Sequence, residues 1–209
     1  MMPDNAEVGI SDSAATNPDF MKFSIPIERL LFERLQSEVR FQTTLKESGC
    51  FLLIGDNDAL EMAKLINKAS PHSQVTVVEQ DLEKAARLSK LVPEGANIKI
   101  VEGKFPSAEV LQSIGEEFDL IIAKHVLPFV ESNQRADFVK AVVGERGLLK
   151  ENGMFVATSI LGSKQVLEDA AQVFGGYKLE DMEGPDWLPS EMPDFVKKSA
   201  VLIMEKASR

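Results

Sequence analysis

Glu79 ends a β-branched run, Val75-Thr76-Val77-Val78, and an acid at the end of such a strand can accept hydrogen bonds from two neighbouring sugar hydroxyls. It follows Gly55 by about 24 residues, the interval usual between a cofactor loop and its ribose acid. Gly55 itself closes another apolar run, Phe51-Leu52-Leu53-Ile54, and can take the positive φ of a tight turn. Asp58 and Glu61 then have the spacing of a helix N-cap and its capping-box partner, which predicts a helix from near Ala59. A helix entered this way turns free N–H groups and its positive dipole end into the crevice above the strand, where a carboxylate or phosphate can bind. Asp56 and Asp58 have two open readings, attraction of a cationic ligand or mere capping and solvation of the turn. Lys124 and His125 follow a further apolar run, Phe118 to Ala123, on the side where open α/β sheets bind ligands. An imidazole there can take a proton from a substrate oxygen or nitrogen, its ordinary pKa being near neutrality, or can hydrogen-bond the loop backbone.

Several chemistries are disfavoured at once. Gly55-Asp56-Asn57-Asp58-Ala59-Leu60 offers one glycine and two acids where a dinucleotide pyrophosphate needs three glycines. Two histidines, one cysteine and no clustered acids give no metal-site spacing. Cys50, at the head of an apolar strand, reads as a buried structural thiol, and no Gly-x-Ser-x-Gly elbow is present.

The elements that must position these residues are legible in the apolar periods. Residues 1–20 lack a hydrophobic period and read as a flexible leader, and 21–209 as a single domain. From Ser24 to Gly49 the apolar residues recur at helical spacing, which predicts one amphipathic helix. Short strands then alternate with helices: Phe51–Gly55, Val75–Glu79, Asn97–Val101, Phe118–Ala123 and Met154–Thr158, with a long helix over Ser132–Leu149. Tyr177–Glu180 and Ser199–Glu205 follow without an intervening helix and should pair antiparallel. The fold class is α/β, doubly wound, with a mostly parallel sheet. A net charge of −10 and a pI near 4.8 disfavour nucleic-acid binding, and no apolar stretch reaches the 18 residues of a membrane span. A soluble, cytoplasmic protein is expected, with a small-molecule partner; the oligomeric state is open.

Together these blocks resemble the class I S-adenosylmethionine-dependent methyltransferases over about Phe41 to Lys206. Phe51–Gly55 matches the strand and first glycine of the family's cofactor loop, and Glu79 its ribose-binding acid. Phe118–Leu127 matches its fourth-strand block, and Leu148-Leu-Lys-Glu-Asn-Gly153 its Leu-Lys-Pro-Gly-Gly turn. The resemblance implies a seven-stranded Rossmann-like sheet whose last strand is antiparallel. It places Gly55, Asp56, Asn57, Glu79, Gly103, Lys104 and Lys124 around S-adenosylmethionine and His125 at the methyl-transfer site. It also sets the first helix and the 183–198 connection, with Trp187, at the open end of the sheet as a lid or subunit contact.

The departures bear on activity. Leu53 replaces the strand acid, Asn57 and Ala59 replace two glycines, and Lys104 stands where relatives hold the adenine amine with an acid. A lysine cannot accept that hydrogen bond. The implied function is methyl transfer to a small or otherwise undetermined acceptor; the alternative is a catalytically inactive relative that binds or regulates.

Overall fold

The computed structural model describes residues 28–55, 59–115, 117–144, 147–159, 164–172, 177–183 and 198–206. Leader residues 1–20 and the 184–197 stretch holding Trp187 lie outside the described residues.

Helix α1 (28–35) and helix α2 (Val39–Lys46) precede strand β1 (Cys50–Gly55). They are two helices where the sequence predicts one. The α-helical ladder lapses because Ser37 Oγ donates to the Arg34 carbonyl, 2.7 Å away, while the Glu38 backbone is extended. A serine bonded to nearby backbone competes with the helix in this way. Beyond β1, α3 (Ala59–Ala69), β2 (Gln74–Glu79), α4 (Leu82–Leu91), β3 (Ile98–Glu102), α5 (Ala108–Ile114) and β4 (Phe118–Lys124) continue the alternation. A 3-10 turn (Leu127–Phe129), α6 (Ser132–Val143), β5 (Leu149–Ser159), α7 (Lys164–Gln172), β6 (Lys178–Glu183) and β7 (Lys198–Glu205) complete it.

Helix α6 stops at Val143, six residues before the Leu149 end expected from sequence. Leu149 is instead paired with Phe118 in the sheet. The β4–β5 register then shifts, so that Met154 pairs with Leu120 and the Lys150–Gly153 turn bulges out. The regular ladder therefore starts at Met154, as expected. Lys150 Nζ reaches Asp119 at 2.9 Å across the bulge, and the same carboxylate oxygen accepts from the Cys50 N–H at 2.8 Å.

The seven strands lie in the order β3-β2-β1-β4-β5-β7-β6. β1 to β5 are parallel, and β7 runs antiparallel between β5 and β6. The nearly continuous apolar runs follow from burial on both faces. Phe51 and Leu53 of β1 pack with Leu35, Phe41, Met62 and Ile66 of α1, α2 and α3. Leu52 and Ile54 point the other way, into a core shared with Val110, Phe138 and Leu167 of α5, α6 and α7. Crossovers on both faces leave the carboxyl ends of β1 to β4 at one open edge, where loops can hold a ligand.

Candidate functional site

A cleft of about 390 Å³ opens across the ends of β1 to β4. Gly55, Glu79, Gly103 and His125, one residue from the end of each strand or just beyond it, line it together. Four of the expected site residues are thus brought to one place, and Lys104 lines the same cleft from its exposed rim. Asp56 and Asn57, with Asp58, lie outside the described residues.

Two glycines let backbone approach the cleft. Gly55 has φ 137°, and a Cβ there would run into the Lys124 carbonyl oxygen. Gly103 has φ 134°, and a Cβ would stand 2.5 Å from Val110 Cγ2. Both values belong to backbone that side chains rarely tolerate. The Gly103 N–H donates to the Glu79 carbonyl at 2.9 Å, which pins the β3 turn to the end of β2.

Glu79 is 3% exposed, yet its carboxylate is well supported. Oε1 accepts from the Asp81 N–H at 3.0 Å, and Oε2 faces Lys84 Nζ at 2.9 Å. Asp81 in turn caps α4, accepting from the Lys84 N–H at 2.9 Å. Oε2 is enclosed and has no aligned hydrogen-bond donor among the described residues, which leaves its lone pairs unsatisfied.

His125 adopts φ 52° and its N–H donates to the Thr158 carbonyl at 3.1 Å. A non-glycine residue held in that region is a strained position of the kind that gathers at functional sites. The ring is buried, and Nδ1 has no hydrogen-bond partner among the described residues. Burial first, and the neighbouring Lys124 charge second, pull its pKa from 6.5 to about 3. Of the two readings open from sequence, a base titrating near neutrality and an imidazole that bonds the loop backbone, the lowered pKa disfavours the first. Lys124 is equally enclosed, its Nζ paired with the carboxylate of Glu28 at the start of α1, and it is not among the cleft-lining side chains.

Other lining residues carried no signal in the sequence. Val126, Phe129 and Val130, from the 3-10 turn, form an apolar wall with Gln134 of α6 behind them. Phe129 is 67% exposed and presents its ring at the mouth of the cleft. On the opposite wall Lys84 and Arg87 project from α4. Their i, i+3 spacing puts both on one face of that helix, a pattern readable in sequence once α4 is placed beside Glu79.

Among known proteins, a Thermobifida fusca protein assigned by prediction as a methyltransferase superimposes with a TM-score of 0.59 and 16% identity, covering 91% of this chain and 84% of that one. The chain has the class I methyltransferase fold. A predicted O-methyltransferase from Agrobacterium tumefaciens gives a TM-score of 0.56 at 17% identity, covering 78% of this chain and 76% of its own. The precorrin-6y C5,15-methyltransferase of Geobacter metallireducens gives 0.52 at 15%, covering 81% and 88%. No protein-family description and no curated sequence matches the chain. Within this methyltransferase fold the cleft lies at the switch point between β1 and β4, where strand order reverses. Among the described residues no helix is long and apolar enough to cross a membrane, and no group of three or more His, Cys, Asp or Glu could hold a metal ion.

Proposed function

We propose that the cleft binds S-adenosylmethionine and that the protein transfers its methyl group to a small-molecule acceptor. The observation that carries this reading is the Glu79 carboxylate, fixed at the end of β2 beside two glycines whose backbones stand open to the same cleft. These residues fit an adenosyl group: Glu79 would accept from the ribose hydroxyls, the Gly55 turn would admit the chain beyond the sugar, and Val126 and Phe129 would cover apolar surface. Lys104 offers the adenine amine no acceptor and is left for another group. Bound in this way, the cofactor supplies an electrophilic methyl group on a sulfonium.

The side chains of this protein then act mainly by placement, which can supply much of the acceleration of a transfer between two bound partners. His125 is proposed as the residue nearest the chemistry. Being neutral, it can accept a hydrogen bond from an acceptor O–H or N–H and hold that group toward the methyl; its basicity is low, so the proton the acceptor releases would pass to water at the mouth of the cleft. Thermal-shift titration with S-adenosylmethionine and S-adenosylhomocysteine tests the reading: both should raise Tm in a concentration-dependent manner. No shift with either at millimolar concentration would overturn it and leave the inactive relative.

A further inference from the structure

The cleft carries more positive charge than S-adenosylmethionine can use at that end. Five charged side chains line it: Glu79 and Asp81 against Lys84, Arg87 and Lys104. Lys84 is answered by Glu79, and Asp81 is spent on capping α4. Arg87 and Lys104 make no ion pair and no side-chain hydrogen bond among the described residues. In a chain of net charge −10, carboxylates outnumber cations, so two unmatched cations on one cleft are an exception to the surrounding field.

Their place in the fold sets where an anion would sit. Lys104 follows β3 and Arg87 lies on α4 after β2, so both stand at the β2–β3 side of the cleft, with Glu79 between them and Gly55. A ribose held by Glu79 would have its sugar edge toward this cationic side and its 5′ chain toward Gly55. The carboxylate and the ammonium of a bound S-adenosylmethionine are on the 5′ chain, and its adenosine end has no anion to offer Arg87 or Lys104. A phosphate monoester on the sugar supplies one, and a guanidinium with an ammonium is a recurrent pair for such a group.

We propose that the cleft accepts a phosphorylated nucleoside, with Glu79 on a free ribose hydroxyl and Arg87 and Lys104 on the phosphate, so that nucleotides compete with S-adenosylmethionine. This inference rests on the proposed position of the ribose at Glu79, although it does not require methyl transfer.

Calorimetric titration of adenosine, 2′-AMP, 3′-AMP, 5′-AMP and S-adenosylhomocysteine into the full chain, at low and high salt, tests it. 2′-AMP or 3′-AMP should bind tenfold or more tightly than adenosine, whereas 5′-AMP, whose phosphate would point toward Gly55, should show no such gain. The gain should shrink with salt, and in an Arg87→Ala, Lys104→Ala double variant the ratio of monophosphate to adenosine affinity should fall to near one. Both side chains are exposed, so the variant should keep the parent's Tm, which checks its folding. Adenosine binding as tightly as 2′-AMP and 3′-AMP, a gain confined to 5′-AMP, or a gain that survives the double variant, would overturn the proposal. Should S-adenosylhomocysteine bind without any phosphate gain, this inference alone falls; a phosphate gain without S-adenosylhomocysteine binding sinks methyl transfer alone; silence from all five ligands sinks both.

Discussion

Lys84 Nζ stands 2.9 Å from Glu79 Oε2, so the first turn of α4 grips the carboxylate that ends β2. The same turn grips it twice, because the Asp81 N–H donates to Oε1. A short connection from strand to helix thus does two things at once: it caps α4 and it orients the acid toward the cleft. Replacing the ammonium with an apolar chain of similar length, Lys84→Met, leaves a nearly buried carboxylate without its counter-charge, which should cost about 1–3 kcal/mol of stability. Urea denaturation of parent and variant at neutral pH measures this, and an unchanged midpoint would show that the ion pair is idle.

Gly55 is predicted to tolerate no side chain. Gly55→Ala would impose a Cβ on backbone at φ 137° and push it against the Lys124 carbonyl, at a cost of roughly 1–3 kcal/mol. The Tm of this variant should fall clearly below that of Gly95→Ala, whose Cβ would meet nothing within 4 Å although its φ of 77° also carries strain. Equal losses in the two variants would mean that contact with β4 contributes nothing.

The pairing of Lys124 with Glu28 is enclosed on both sides, with side chains 7% and 1% exposed. Removing one charge leaves the other buried without this counter-charge, so Lys124→Met and Glu28→Gln should each lose stability, by up to about 3–5 kcal/mol. The double variant should lose less than the two single losses combined, because neither buried charge is then left facing the other's vacated site. Thermal denaturation of the four proteins gives the coupling directly, and additive losses would show that the two groups do not depend on each other.

His125 sets a pH dependence with a definite sign. Its folded pKa of about 3 lies below the ordinary 6.5, so between those values the unfolded chain binds the extra proton and stability falls as pH falls. The slope approaches about 1.4 kcal/mol per pH unit in the middle of that window. Asp119 acts in a lower one: the Cys50 N–H and the Lys150 ammonium hold its pKa below the ordinary 3.8 against the opposing effect of burial, so its contribution is lost only as pH falls further. Denaturant titrations from pH 7 to 4.5 on parent and His125→Gln separate the two, and a variant with the parent's slope would remove His125 as the source.

Much of this architecture could be read from the chain, and the failures have local causes. The apolar runs of β1, β2, β4 and β5 were legible because burial on both faces leaves no polar interruption, and Glu79 stood out as the acid that ends one of them. The break at Ser37 was hidden because the apolar spacing of Leu31, Leu35 and Val39 continues through it, while one hydroxyl bond ends the ladder. Leu149 was drawn into α6 by the same apolar logic, although its partner is Phe118, a residue distant in sequence. The neutrality of His125 comes from burial and from Lys124, and neither can be read without the fold. Lys104 stands out through the resemblance, whereas Arg87 looks like an ordinary surface cation until α4 brings it to the same cleft.

The proposed function puts the ribose of an adenosyl ligand on Glu79 in this cleft. Calorimetric titration of S-adenosylhomocysteine into the parent and into Glu79→Ala, under one set of conditions, tests it most directly. The parent should show one site, and the variant should lose about 1–3 kcal/mol of binding free energy with the fold retained by circular dichroism. Binding of equal strength in a folded Glu79→Ala protein, or no binding to the parent, would contradict it.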